Sequence, residues 1–141
     1  MSKPKLRHIA LSVDDPFATA EFYMKAFDMD KVGETDSPLA RGVYLSDGTV
    51  NLAILNFKND RWAGANGQAY RGIHHMGFHV DDLDKAEEKI LAAGGTEFTG
   101  RPTHGNTKTV VFEMKYYDPN GIMVDAAETG WPISDRSNEQ D

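Results

Sequence analysis

Arg7-His8-Ile9-Ala10-Leu11-Ser12-Val13-Asp14-Asp15 and, 67 positions later, His74-His75-Met76-Gly77-Phe78-His79-Val80-Asp81-Asp82 are two versions of one segment. Each alternates along its length, carries a histidine near its start, stops at Val-Asp-Asp and runs on into a helix-like stretch. If the two copies pack about a pseudo-twofold axis, His8 and His75 face each other across a shared site. A histidine pair so placed needs only a carboxylate to become a metal site, and Asp125 is the candidate.

Working outward from the first copy, Leu6, His8, Ala10 and Ser12 alternate with Arg7, Ile9, Leu11 and Val13, the period of a strand with one aliphatic face and one smaller, more polar face. His8 lies on the polar face. Asp14 or Asp15 suits a helix cap, Pro16 a first helical position, and Phe17, Ala20, Met24 and Phe27 recur at helical spacing. Three extended stretches follow up to Phe57, with an Asp47-Gly48 turn before the last.

Residues 58–71 show no sustained period and read as a long connecting loop. The second copy then repeats the order. A strand over 73–80 leads to a helix capped near Asp82 or Asp84 and carrying Leu83, Ala86, Ile90 and Leu91. Gly94-Gly95 ends it in the left-handed cap role. Extended stretches near 96–98, 107–116 and 122–127 complete the module, with Asp118-Pro119-Asn120-Gly121 turning into the last. The tail from Ser134 is polar.

The whole chain, 141 residues with 40% hydrophobic and 26% charged content, fits a single domain with a sizeable core. Two modules, about 5–57 and 72–130, would lie inside it. A net charge of −7 has the wrong sign for neutralising phosphate backbones and argues against nucleic acid. With no cysteine, any metal must be held by nitrogen and oxygen. No apolar run approaches the roughly 20 residues of a membrane span, and residues 1–7 lack a signal-peptide core, so a cytoplasmic protein is expected.

Two tandem βαβββ modules, a strand-one histidine in each, Asp118-Pro119-Asn120-Gly121 before the final strand, and above all Gly72-Ile73-His74-His75-Met76-Gly77-Phe78-His79-Val80-Asp81-Asp82 through Ala92-Ala93-Gly94-Gly95 resemble the vicinal oxygen chelate superfamily. That superfamily holds glyoxalase I, methylmalonyl-CoA epimerase, extradiol dioxygenases and metal-free bleomycin-resistance proteins. The resemblance implies an α+β fold in which the modules form a curved, barrel-like mixed sheet with flanking helices, and it implies a homodimer. It also implies a divalent ion, Fe(II), Mn(II) or Zn, on His8, His75 and Asp125, the last standing where relatives usually carry glutamate. The fourth ligand position falls on Asn51 or Leu52, according to a one-residue choice of register, and neither is a carboxylate.

Two imidazoles and one carboxylate on one face of an octahedral ion leave about three positions for water and substrate oxygens. The substrate class is then a small molecule chelated through two adjacent oxygens, whose carbonyl or enolate the ion polarises. Three ligands without a fourth carboxylate favour dioxygenase-like chemistry. Proton transfer by a glyoxalase-type isomerase, epimerase or lyase is the second reading, and a metal-free binding protein with incidental strand histidines is the third.

Among other residues, His79 shares the strand face of His75 at about 13 Å along an extended strand, a place for contact with a substrate's distal end or for a structural histidine. Tyr116 and Tyr117 have opposite parity, so one points inward, and a phenol there orients an oxyanion or simply packs; Tyr117 is the catalytic candidate. His74 has packing parity, and His104 lies in a loop suited to a lid contact or to plain exposure. Phe57, Trp62 and Tyr70 line a pocket or pack an interface.

Overall fold

The computed structural model describes residues 2–98 and 113–139. His104, and the part of the expected 107–116 strand that precedes Glu113, lie outside the described residues. The elements are β1 (Lys5–Ser12), α1 (Pro16–Phe27), β2 (Asp30–Asp36), β3 (Ala40–Ser46), β4 (Asn51–Phe57), α2 (Asp60–Ala63), β5 (Gly72–His79), α3 (Leu83–Ala92), β6 (Thr96–Glu97), β7 (Glu113–Tyr117) and β8 (Met123–Ala127). The order is βαβββ twice, with α2 between the repeats, an α+β fold.

The helices start where the sequence says they should, because the side chains that follow each first strand satisfy the free N–H groups of the first turn. Asp15 accepts from the amides of Phe17 and Ala18 at 3.1 Å each, ahead of Pro16. Asp82, its repeat equivalent, accepts from Lys85 N–H at 3.1 Å. The neighbouring aspartates do other work: Asp14 pairs with Arg71, and Asp81 takes the backbone and hydroxyl of Ser2, each at 2.8 Å. The connecting segment is not irregular throughout, as its lack of periodicity suggested. Asn59 caps a single turn, α2, by accepting from Trp62 N–H at 3.0 Å, a side-chain bond that hydrophobic period cannot reveal.

The chain divides into two compact units, one formed by residues 8–74 with the segment from Pro132, the other by the segment up to Arg7 with residues 75–131. In the first, the strand order is β2-β3-β4-β1, with β4 antiparallel to β3 and parallel to β1. One face of this sheet carries Val43, Leu45, Leu52 and Ile54 against Ala20 of α1, with Ile9, Leu11, Phe17, Tyr23 and Met24 packed around them. Phe27, which shares the helical spacing, is instead 63% exposed and meets Phe22 and Tyr23 at ring centroid distances of 6.2 Å. The other face buries Ala10, Ala53, Leu55 and Phe57 under Ala63 and Trp62 of α2.

In the second unit the order is β5-β8-β7-β6, with β5 parallel to β8 and β7 antiparallel to it. Phe78, Met114, Tyr116, Val124 and Ala126 face Leu83, Ala86 and Ile90 of α3. By strand alternation the opposite face presents His75, Gly77 and His79 from β5, Asp125 from β8, and Glu113, Lys115 and Tyr117 from β7. That face carries the chemistry of this unit.

Candidate functional site

The two expected metal histidines are both buried, His8 at 2% and His75 at 4% exposure, and Asp125 is at 1%. Groups of this polarity are kept in a core only when their hydrogen-bonding capacity is met, and each unit does so in its own way.

In the first unit His8 sits directly across from Asn51 in the parallel β1/β4 register. This settles the choice at the fourth position: Asn51 shares the face of His8, whereas Leu52 points into the helix-side core. Asn51 Nδ2 donates to the Pro132 carbonyl at 2.8 Å, and its Oδ1 lies 2.9 Å from His8 Nδ1. The Pro132 carbonyl can only accept, so the amide orientation is determined, and Oδ1 must accept from an Nδ1–H. In its neutral form the His8 ring is thereby held as the tautomer whose Nε2 carries the lone pair, the arrangement of a metal-binding histidine steadied from behind. Asn51 orients an imidazole here.

In the second unit His75 Nε2 lies 3.1 Å from Asp125 Oδ2. Neighbouring ligand atoms on an octahedral ion with bonds of about 2.1 Å are separated by roughly 3.0 Å, so this pair has the spacing of two ligands as well as that of a hydrogen bond. Lys115, opposite Asp125 in the β7/β8 register, donates to both carboxylate oxygens at 2.9 Å and lies 3.4 Å from Glu113 Oε2. Trp131 Nε1 donates to the other Glu113 oxygen at 2.5 Å.

The electrostatics follow from these contacts. Burial alone would raise the Asp125 pKa, but the Lys115 ammonium and then His75 outweigh it and hold the carboxyl well below the usual carboxylate range. Burial would depress Lys115, and Asp125 and Glu113 together overcome it and push it up. Glu113 goes the other way: burial, with the nearby Asp125 charge, exceeds the pull of Lys115 and raises it to about 7. The sequence reading passed over Glu113 and Lys115. Their signal was available, since charges at alternate positions around Met114 and Tyr116 mark a strand with one apolar and one charged face.

The remaining candidates have contacts of their own. His79 is exposed, and its Nε2–H donates to the Glu128 carbonyl at 2.6 Å. Tyr117 is half-buried and meets the Phe98 ring edge-on at 5.5 Å. His74 packs on the Phe57 ring at 4.3 Å and donates to the Ala63 carbonyl at 2.8 Å. Phe57 is buried against α2 with Trp62, and the Tyr70 hydroxyl donates to the Ile73 carbonyl at 3.2 Å.

Two imidazole nitrogens and one carboxylate oxygen, the donors the sequence analysis expects, are of the kind that suits a divalent ion of the middle transition series. The model of the Glyoxalase/Bleomycin resistance protein/Dioxygenase superfamily matches residues 5–126, and the chain belongs to that family. This is the vicinal oxygen chelate grouping that the strand-one histidines and the repeated module resemble.

Glyoxalase I of Saccharomyces cerevisiae is 26% identical over 147 residues, covering 85% of this chain and 43% of that protein, so the chain spans less than half of that relative. Among solved structures, a hypothetical protein of Bacillus halodurans C-125 superposes with a TM-score of 0.73 at 16% identity, covering 95% of this chain and 100% of that one. The methylmalonyl-CoA epimerase of Streptomyces coelicolor, in complex with 2-nitronate-propionyl-CoA, gives 0.67 at 22% identity over 87% and 95%. These structural likenesses show a shared fold, and two of the three named relatives are enzymes. Among the described residues no helix is long and apolar enough to cross a membrane.

Proposed function

We propose that this chain is a metal-dependent enzyme in which His8, His75 and Asp125 hold one divalent cation and that it moves a proton on a small substrate chelated through two adjacent oxygens. The observation that carries the reading is the pair of repeat-equivalent buried histidines, one presented through a fixed Nε2 by Asn51, the other 3.1 Å from a buried carboxylate oxygen. When bound, the ion supplies Lewis acidity, lowering the cost of charge on a substrate oxygen. The protein's part is to present the three ligands and to keep the surrounding face dry.

Proton transfer is preferred to oxygen chemistry for two reasons. Glyoxalase I and an epimerase are among the enzymes this chain is similar to, and Glu113 provides a carboxyl group beside Asp125, held by Trp131, of the kind a proton carrier requires. His79 and Tyr117, on the same strand faces as His75 and Lys115, are assigned to the remote part of the substrate. A homodimer belongs to the same reading, with light scattering as its check. Dioxygenase-like chemistry is the second reading, favoured by the absence of a carboxylate at position 51.

Elemental analysis of protein purified without chelator is expected to return close to one transition metal per chain, lost in His8→Ala and Asp125→Asn. Solvent deuterium should then enter a 2-oxo or thioester substrate, and Glu113→Gln should slow that exchange by a hundredfold or more. Wild-type protein that takes up no metal under saturating Mn(II), Fe(II) or Zn(II) would refute the metal site. Oxygen uptake with catechols under Fe(II), without exchange, would transfer the assignment to the second reading.

A further inference from the structure

Lys115 is absent from that account, yet it makes the closest cationic contact to the proposed metal carboxylate. Its Nζ bonds both oxygens of Asp125 at 2.9 Å, from the directly opposed position of the antiparallel β7/β8 pair. Asp125 is buried, and the Lys115 side chain is 14% exposed. A lysine ammonium is a compact point charge on a flexible four-carbon stem, and here it bonds both of the oxygens through which Asp125 would hold a cation. Two positive centres a few ångströms apart in a poorly solvated pocket repel strongly. They cannot both keep the carboxylate at these distances without cost.

We propose that Lys115 is the resident counter-cation of the metal position, holding Asp125 in the metal-free protein and giving it up when the ion binds. The inference rests on the metal reading above and concerns how the site is loaded. Two consequences follow from the geometry. The affinity of the wild-type site is weaker than its two histidines and carboxylate would otherwise provide, because each ion must displace an ammonium. Removing the ammonium strands a buried carboxylate in the metal-free protein, and a metal ion then repairs the loss. Glu113 Oε2, 3.4 Å from Nζ, offers the displaced lysine a second carboxyl oxygen within reach.

The test compares Mn(II) binding, by electron paramagnetic resonance and calorimetry, and thermal unfolding with and without Mn(II), in wild type, Lys115→Met and Lys115→Arg. The expected result is Mn(II) binding at least tenfold tighter in Lys115→Met than in wild type, with Lys115→Arg close to wild type. Mn(II) should also raise the melting temperature of Lys115→Met by more than that of wild type. A lysine that served only to stabilise the β7/β8 pair would give the loss of stability without tighter metal binding, and that outcome overturns the proposal while leaving the metal reading intact. If Lys115→Met is unfolded without metal, recovery of its near-ultraviolet circular dichroism on adding Mn(II) supports the exchange, and continued unfolding overturns it. Failure of Mn(II) to bind any of the three proteins removes the metal reading and this inference together.

Discussion

Asn51 is the residue at which a register decision becomes chemistry. A carboxylate at its position would point another charge into the site, but the amide instead spans His8 Nδ1 and the Pro132 carbonyl, so its effect is exerted through the imidazole. Replacing it by leucine removes the acceptor of a buried N–H and the donor to a carbonyl in one change. Asn51→Leu is therefore expected to lose about 1–3 kcal/mol in urea unfolding and to weaken metal binding by roughly tenfold or more, since His8 is no longer held in one tautomer. Unaltered metal affinity in the folded variant would count against the orienting role. Asn51 was legible as a candidate position from the module repeat. Its role was not, because the choice between Asn51 and Leu52 depends on which residue of β1 lies opposite.

At the level of elements, the repeat shows which of its matched residues do matched work. Asp15 and Asp82 both cap helices, and the distinction between them and their neighbours Asp14 and Asp81 is one of local geometry: only the second aspartate of each pair reaches the first-turn amides. Asp15→Ala is expected to destabilise the protein by about 1 kcal/mol, within the 0.5–2 range of lost caps, as read from the denaturant midpoint. Asp14→Ala, which removes only an exposed partner of Arg71, should shift it by less than half as much; equal losses would put the cap assignment in doubt. These starts and stops could be read directly, as could the strand parity of His8, His75 and Asp125. The β7/β8 turn was read at Asp118-Pro119-Asn120-Gly121, but the pairing it imposes was not. Its turn is built by Asp118 accepting from the amides of Asn120 and Ile122, and that closure aligns Tyr117 with Met123 and hence Lys115 with Asp125. The pairing follows by counting back from that turn, a step that alternation along either strand alone does not supply.

Across the whole molecule, the charged face of the second unit leaves a signature in stability against pH. Glu113 has its pKa raised to about 7 from 4.5, so the folded state holds its proton more tightly than the unfolded state. Its contribution is complete below about pH 4.5 and is lost as pH rises through about 7. Asp125 and Lys115 act outside this window: the lowered Asp125 pKa contributes above the usual carboxylate range and fails only in strong acid, and the raised Lys115 pKa fails only in strong alkali. Between pH 5 and pH 8 wild type should therefore lose up to about 3 kcal/mol relative to Glu113→Gln, with groups common to both proteins cancelling in the comparison. Parallel pH profiles from urea titrations of the two proteins would show that Glu113 is not held in its protonated form.

The repeated module, the helix caps and the faces on which the histidines and Asp125 stand were determined by the amino-acid sequence alone, because each depends on period and on contacts within a few residues. Only the tertiary structure decided that Asn51 orients His8, that Lys115 grips Asp125 and that α2 covers the Phe57 face. Those outcomes depend on which strands lie side by side and in what register, and residues far apart in the chain meet there through long-range pairing that alternation along a single strand does not encode.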